Sequence, residues 1–269
     1  MPSLLSNRLA KRVLRPAFSL VEQRMERVTT AFQKDLDALH HEVADLRRQS
    51  YGLGLLLDHA GRDGHRMPTA TQVDTLVREV SAVTGAPGER VRGDVTVAYR
   101  HLVALEALGT GGLAGSVSDV CGRLATLPML TPPNGEVLEV GTLHGLFAAA
   151  LRRMLRRDGV DARLTIVDPL DGPPTHEEVV RSNLALGGGP SGGADTTRLV
   201  RGTLAEAGVR DLVGDRRYGV VVVNGPHGLG AVHDLLAPGG VVVLAGGSTP
   251  AGLTGLGQVA DSAYYRAAA

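Results

Sequence analysis

The stretch EVLEVGTLHGLFAAAL, residues 136–151, carries residue types whose spacing could do chemistry. Glu139 stands one residue before the end of a short apolar run, with Gly141 two residues on and Gly145 four beyond that. An apolar stretch of helical character follows. A strand, a glycine turn and a helix in that order let a ligand approach the backbone closely and offer it a helix N-terminus. A dinucleotide-binding turn would read G-x-G-x-x-G and would leave the helix start clear for a pyrophosphate. Here the middle place is Leu143, and a carboxylate at Glu139 repels phosphate. The same carboxylate suits a cation. The pattern therefore disfavours a nucleotide-binding oxidoreductase and favours a positively charged ligand.

Four further positions belong with this turn. Asp168 closes the apolar run LTIVD, where a carboxylate has few structural reasons to stand. Gly202 and Thr203 follow the run TRLV, and Asn224 follows YGVVVV. In the same NGPHG loop, His227 offers an imidazole that titrates near neutral pH and can accept a proton from a hydroxyl. His144 reads as a loop residue without chemistry. Asp171, Glu177 and Glu178 read as the acidic start of a helix, where they suit its dipole. His233 and Asp234 fall on a predicted helix.

The elements that must position these residues are legible in the apolar pattern. From residue 136, short runs alternate with helical stretches: strands at EVLEV, RLTIV, TRLV, YGVVVV and GVVVL, helices at about 144–157, 175–186, 203–213 and 228–236. Unbroken Val, Leu and Ile runs predict strands buried on both faces, hence a mostly parallel, Rossmann-like sheet of an α/β fold. Ligands of such sheets bind beyond the carboxyl ends of the strands. Helices predicted at 71–84, 96–108 and 116–127 make residues 69–130 a small helical lead-in or lid, and TPPNG marks its boundary with the segment 131–269. Residues 1–58 form a third part. There Phe18, Val21, Met25, Val28, Phe32, Leu36, Leu39, Val43 and Leu46 recur at alternating three- and four-residue spacing, with one stutter between Phe32 and Leu36. That seam predicts a coiled-coil-like helix about 40 Å long and self-association, most simply as a homodimer. Arg8, Lys11, Arg12 and Arg15 precede it among Leu4, Leu5, Leu9, Val13 and Leu14 and read as a solvated terminus, with contact to an anionic membrane surface as the less favoured alternative. Glycine-punctuated residues 59–68 read as a linker.

In this order, the motifs resemble class I S-adenosylmethionine-dependent methyltransferases. E-x-G-x-x-x-G after the first strand is similar to their motif I, and an acid closes the second strand. The run from RYGVVVVNGPHG to APGGVVVLAGG is similar to the motif IV-to-V region of bacterial O-methyltransferases, nearest the branch that methylates sugars and macrolide sugars. The resemblance covers residues 136–247. It implies S-adenosylmethionine as cofactor, whose sulfonium and ammonium make it cationic. It further implies that Gly141, Thr142 and Gly145 wrap the methionine part and that Glu139 orients that loop or faces the ammonium. Asp168 would hold the ribose hydroxyls, and Gly202 and Thr203 would lie beside the adenine. Asn224 joins the cofactor-binding set, and His227 is the implied general base toward a sugar hydroxyl. The relatives hold a divalent metal with an acid at the start of D-G-x-H and acids after the fifth strand. This chain has Asn224, and then Ala245, Gly246 and Gly247, so no bound Mg²⁺ is expected. A non-catalytic S-adenosylmethionine-binding or scaffolding protein of the same fold is the alternative.

The bulk numbers narrow the setting. Twenty-eight acids balance 28 bases, so no whole-chain field recruits nucleic acid. A single cysteine, Cys121, excludes an internal disulfide, reads as a core residue and fits a reducing cytoplasm. No apolar run reaches the roughly 20 residues of a membrane span. Three phenylalanines, five tyrosines and no tryptophan argue for a polar acceptor over a large aromatic one. The last 25 residues show no two apolar strands, so the sheet is expected to stop at five strands or to be completed by the N-terminal part or a partner chain.

Overall fold

The computed structural model of the chain describes residues 23–40, 42–43, 68–113, 115–171, 176–188, 197–225, 232–245 and 251–268. The chain divides into two units, Met1–Tyr51 and Gly52–Ala269. In the first, residues 23–40 form helix α1. Met25, Val28, Phe32, Leu36 and Leu39 of α1, with Val43 beyond it, are exposed. The basic start, Phe18, Val21, Leu46 and linker residues 59–67 lie outside the described residues.

The second unit is built on a seven-stranded sheet in the order β3-β2-β1-β4-β5-β7-β6. The strands are β1 (Glu136–Val140), β2 (Arg163–Asp168), β3 (Arg198–Arg201), β4 (Tyr218–Val223), β5 (Leu236–Ala245), β6 (Leu253–Val259) and β7 (Ser262–Ala267). β1 to β5 are mutually parallel. The valine runs alternate faces with a period of two, as a pleated strand requires. Val220 and Val222 of β4 point into one apolar core, Val221 and Val223 into the other.

The first core is shared with helices α2 (Ala70–Thr84), α3 (Gly88–Leu108), α4 (Val117–Met129), α5 (Leu146–Arg157) and α6 (His176–Leu186). The predicted lead-in helices are thus packed into the same core as the sheet. The second core is covered by α7 (Ala207–Val213) and a single 3-10 turn at His233–Leu235. His233 and Asp234 belong to this turn, and Leu236, predicted as helix, opens β5. Cys121 is fully buried in the first core, and burial pushes its thiol up to about 12. That keeps it protonated and inert.

The expectation of a five-stranded sheet is overturned. β7 lies antiparallel beside β5, and β6 antiparallel beside β7, so the chain completes its own sheet. The hairpin has no strand-like apolar run because β6 bulges between Gly255 and Gly257 and buries only Val259 fully. A bulge takes the strand out of period two, which hides it from a pattern search. β7 is anchored by Tyr264, fully buried, and by Ser262, whose Oγ donates to Asp119 Oδ1 of α4 at 2.6 Å.

Candidate functional site

The order of strands reverses between β1 and β4, which opens a crevice at their carboxyl ends. Glu139 enters it from β1. It shares a sheet face with Val137, which packs in the core beneath α3 to α5, so its carboxylate is carried inside and is 1% exposed. A buried carboxylate needs donors, and the turn that follows provides them. Thr142 Oγ1 donates to Glu139 Oε2 at 2.8 Å, and Asn224 Nδ2, from the end of β4, donates to Oε1 at 2.9 Å. Burial pushes the Glu139 carboxyl up to about 7, the more so for the Asp168 carboxylate nearby; the Thr142 and Asn224 hydrogen bonds and the Arg123 charge pull the other way.

Thr142 also faces Asp168. Its backbone N–H donates to Asp168 Oδ2 at 2.7 Å, and Leu170 N–H donates to Oδ1 at 2.8 Å. One threonine therefore ties together the penultimate residue of β1 and the acid that closes β2. The turn itself is strained around this bridge. Gly141 has φ +79°, and a Cβ there would stand 2.8 Å from the Asn224 carbonyl oxygen. Leu143, in the place of the missing glycine, holds φ +56°, a conformation that costs an L-residue about 1–2 kcal/mol and is concentrated at functional sites.

Asn224 is the hub on the β4 side. Its Nδ2 donates to the Gly141 carbonyl at 2.7 Å as well as to Glu139, and its Oδ1 accepts from Arg123 Nη1 of α4. Arg123 is paired with Asp119 at 2.9 Å, both side chains at most 5% exposed, and its guanidinium lies 4.6 Å over the Phe147 ring. These residues border a cleft of about 400 Å³, lined among others by Asp119, Arg123, Gly141, Thr142, Asp168 and Asn224. That volume suits a small molecule.

The sequence of the sheet core agrees with this geometry: residues 138–245 match the family model described as a methyltransferase domain. The fold is the mostly parallel, Rossmann-like α/β sheet expected from the sequence, with an antiparallel strand β7 inserted between β5 and β6. No curated protein matches the chain. Similar solved structures include the cofactor-bound protein Rv0187 from MTB, 22% identical over 66% of this chain and 73% of that one, TM-score 0.37. The O-methyltransferase TomG from Streptomyces achromogenes, in complex with SAM, is 18% identical over 65% and 74%, TM-score 0.35. The TDP-rhamnose 3'-O-methyltransferase CalS11, of calicheamicin biosynthesis, is 16% identical over 74% and 96%, TM-score 0.45.

Within this fold, Glu139, Gly141, Thr142, Asp168 and Asn224 come together as one hydrogen-bonded set. Gly145 is the cap residue of α5 and makes no side-chain cap. Gly202 donates its N–H to the Asp168 carbonyl at 3.0 Å, which places the end of β3 beside β2. Thr203 caps the turn before α7, its N–H and Oγ1 both donating to Glu206 Oε1 at 2.9 and 3.0 Å. Neither Gly202 nor Thr203 is among the residues lining the cleft. Asp234 is exposed and accepts from Arg210 at 2.7 Å. Glu177 and Glu178 begin α6 as expected. Pro226, His227, Gly246 and Gly247 lie outside the described residues.

Sequence reasoning missed Asp119, Arg123, His176 and Asn183. His176 lines the cleft, and its Nε2 is 2.6 Å from the Leu143 carbonyl. A carbonyl only accepts, so Nε2 donates to it, while Nδ1 is buried with no hydrogen-bond partner among the described residues. Asn183 Nδ2 donates to the carbonyls of Thr110 and His144, and its Oδ1 accepts from Thr110 N–H. It thereby fastens the glycine turn to the segment 109–113 that forms the opposite lip. His144 Nδ1 bonds the Gly112 carbonyl at 3.1 Å across the same gap, a structural loop role. Asn183 carried no signal in the sequence; the signal for the Asp119–Arg123 pair was two opposite charges four apart in a helix of otherwise apolar and small residues.

Proposed function

We propose that the chain is an S-adenosylmethionine-dependent methyltransferase that methylates a sugar hydroxyl on a bacterial glycan or glycosylated metabolite, using His227 as general base and no metal ion. The observation that carries the cofactor reading is the bridge Glu139–Thr142–Asp168 at the ends of β1 and β2. Asp168 keeps lone pairs beyond the two that its backbone donors use, and those suit the paired hydroxyls of a ribose. Glu139 places negative potential under the glycine turn, in a site of low dielectric where it acts strongly on a cation. When bound, S-adenosylmethionine supplies an electrophilic methyl group on a sulfonium. The chain's own contribution is then alignment: the strained turn 141–143 fixes the ligand, and a base on the NGPHG loop takes the acceptor's proton.

The residues present do not fit a divalent cation. The one Asn224 atom able to ligate a metal, Oδ1, already accepts from the Arg123 guanidinium, and a cation beside it repels another. Among the described residues there is no group of three or more His, Cys, Asp and Glu side chains able to hold a metal. A polar acceptor agrees with a cleft whose wall carries Asp119, Arg123, Thr142, His176 and Asn224.

Calorimetry with S-adenosylhomocysteine tests the cofactor, and no heat at high micromolar ligand refutes it. Transfer of labelled methyl to a panel of nucleotide-linked sugars, with and without EDTA, tests the chemistry. Turnover insensitive to EDTA and abolished by His227→Ala is the expected result; binding without turnover on any sugar returns the non-catalytic reading. The exposed seam of α1 supports self-association of two chains as a coiled coil.

A further inference from the structure

We infer that the Asp119–Arg123 ion pair of α4 receives the zwitterionic amino-acid end of S-adenosylmethionine. The inference rests on the cofactor reading above and assigns a part of the site that lies outside the glycine turn.

Position along the cleft comes first. Asp168 closes β2, and the sheet runs from β2 through β1 to β4. A ligand whose ribose is held at Asp168 extends past Gly141 toward the end of β4. There Arg123 meets Asn224, and both Arg123 and Asp119 line the cleft. Charge comes second. The amino-acid end carries one carboxylate and one ammonium on the same carbon. The pair offers one guanidinium and one carboxylate, 2.9 Å apart at 4% and 5% side-chain exposure. Being neutral as a whole, it does not repel the sulfonium a few bonds away.

Unused valence comes third. A guanidinium has five N–H donors. Arg123 Nη1 serves Asn224 and Nη2 serves Asp119, whereas its Nε is buried with no hydrogen-bond partner among the described residues. The Asp119 oxygens accept from Arg123 and from Ser262, and each carboxylate oxygen has a second lone pair. A buried ion pair adds little to stability compared with apolar side chains of the same size. Its place in the wall of the cleft is accounted for by a ligand of the same two charges. The Phe147 ring under the guanidinium keeps that plane from turning away.

The test compares two ligands on the full chain by calorimetry. S-adenosylhomocysteine has the amino-acid end; 5'-deoxy-5'-methylthioadenosine has the same nucleoside and thioether without it. The unaltered protein is expected to bind the first at least about 30-fold more tightly. Arg123→Gln is expected to weaken S-adenosylhomocysteine about 10- to 100-fold, the range for losing a charge-assisted hydrogen bond, while methylthioadenosine changes less than about twofold. Asp119→Leu/Arg123→Met removes both charges without stranding either and is expected to level the two affinities. If the double variant weakens both ligands equally, or leaves S-adenosylhomocysteine unchanged, the inference is overturned. Equal affinity of the unaltered protein for the two ligands overturns it as well, with the cofactor reading intact. Absence of binding to either ligand overturns both.

Discussion

Replacing Glu139 by Gln should make the protein more stable at pH 8 and weaken its hold on the cofactor. The carboxyl of Glu139 is pushed up to about 7 in the folded chain, against about 4.3 when unfolded. Between those values the folded state binds a proton that the unfolded state has released, so stability is full below about pH 4 and falls as pH rises through 7. At about 1.4 kcal/mol per pH unit of difference, the group costs roughly 4 kcal/mol above pH 8. Glutamine escapes this cost without losing its partners. Its carbonyl accepts from Asn224 Nδ2, and its amide donates to Thr142 Oγ1, whose hydroxyl can accept as well as donate.

Urea denaturation of both proteins at pH 5, 6, 7 and 8 isolates the effect, because every other titrating group cancels in the difference. Stability of Glu139→Gln relative to the parent should climb by roughly 2–3 kcal/mol from pH 5 to pH 8. S-adenosylhomocysteine affinity at pH 8 should fall about tenfold, the expected effect of removing one negative charge from beneath the glycine turn. A pH-independent difference between the two proteins would refute the assigned burial of an ionisable Glu139. A stabilised variant with unchanged affinity would show that the carboxylate is not there for the ligand.

Three further outcomes are expected. Gly141→Ala forces a Cβ to 2.8 Å from the Asn224 carbonyl at φ +79°; it should lose about 2–4 kcal/mol in urea denaturation and all detectable S-adenosylhomocysteine binding. Asn224→Asp removes two donated hydrogen bonds, to Glu139 and to the Gly141 carbonyl; it should cost about 2–4 kcal/mol at pH 8 and less at pH 5, where a proton can be shared. Phe32→Glu/Leu39→Glu, on the exposed seam of α1, should halve the mass in sedimentation equilibrium while leaving cofactor binding unchanged.

Strands buried on both faces announce themselves, and the runs at β1, β2 and β4 were placed nearly to the residue. The helices preceding the sheet were also visible, though α3 begins at Gly88, eight residues ahead of its predicted start, because Arg90, Arg92 and Gly93 interrupt the apolar spacing. The C-terminal hairpin was not visible, since β6 gives up its alternation to the Gly255–Gly257 bulge. Among site residues, those on the strand ends were legible: a turn glycine and an acid at a strand terminus have few other uses. Asp119 and Arg123 were not read from α4, although the helix around them is buried on every side. Opposite charges four apart within such a helix must either neutralise each other or meet a ligand, and that rule would have found them.

The departure at Asn224 takes on a different meaning once its neighbours are known. The sequence presents it as an acid lost from a metal site. In the fold, residue 224 must do two things at once: donate to Glu139 and to the Gly141 carbonyl, and accept from Arg123. An aspartate would satisfy the guanidinium and repel Glu139; an apolar residue would satisfy neither. A side-chain amide is the group that carries a donor and an acceptor on one planar end. Asn224 is therefore matched to a buried Glu139 on one side and to a resident guanidinium on the other. A fixed organic cation on α4 thus stands against the end of β4, and the Asn224 amide is the group that joins it to Glu139 and to the glycine turn.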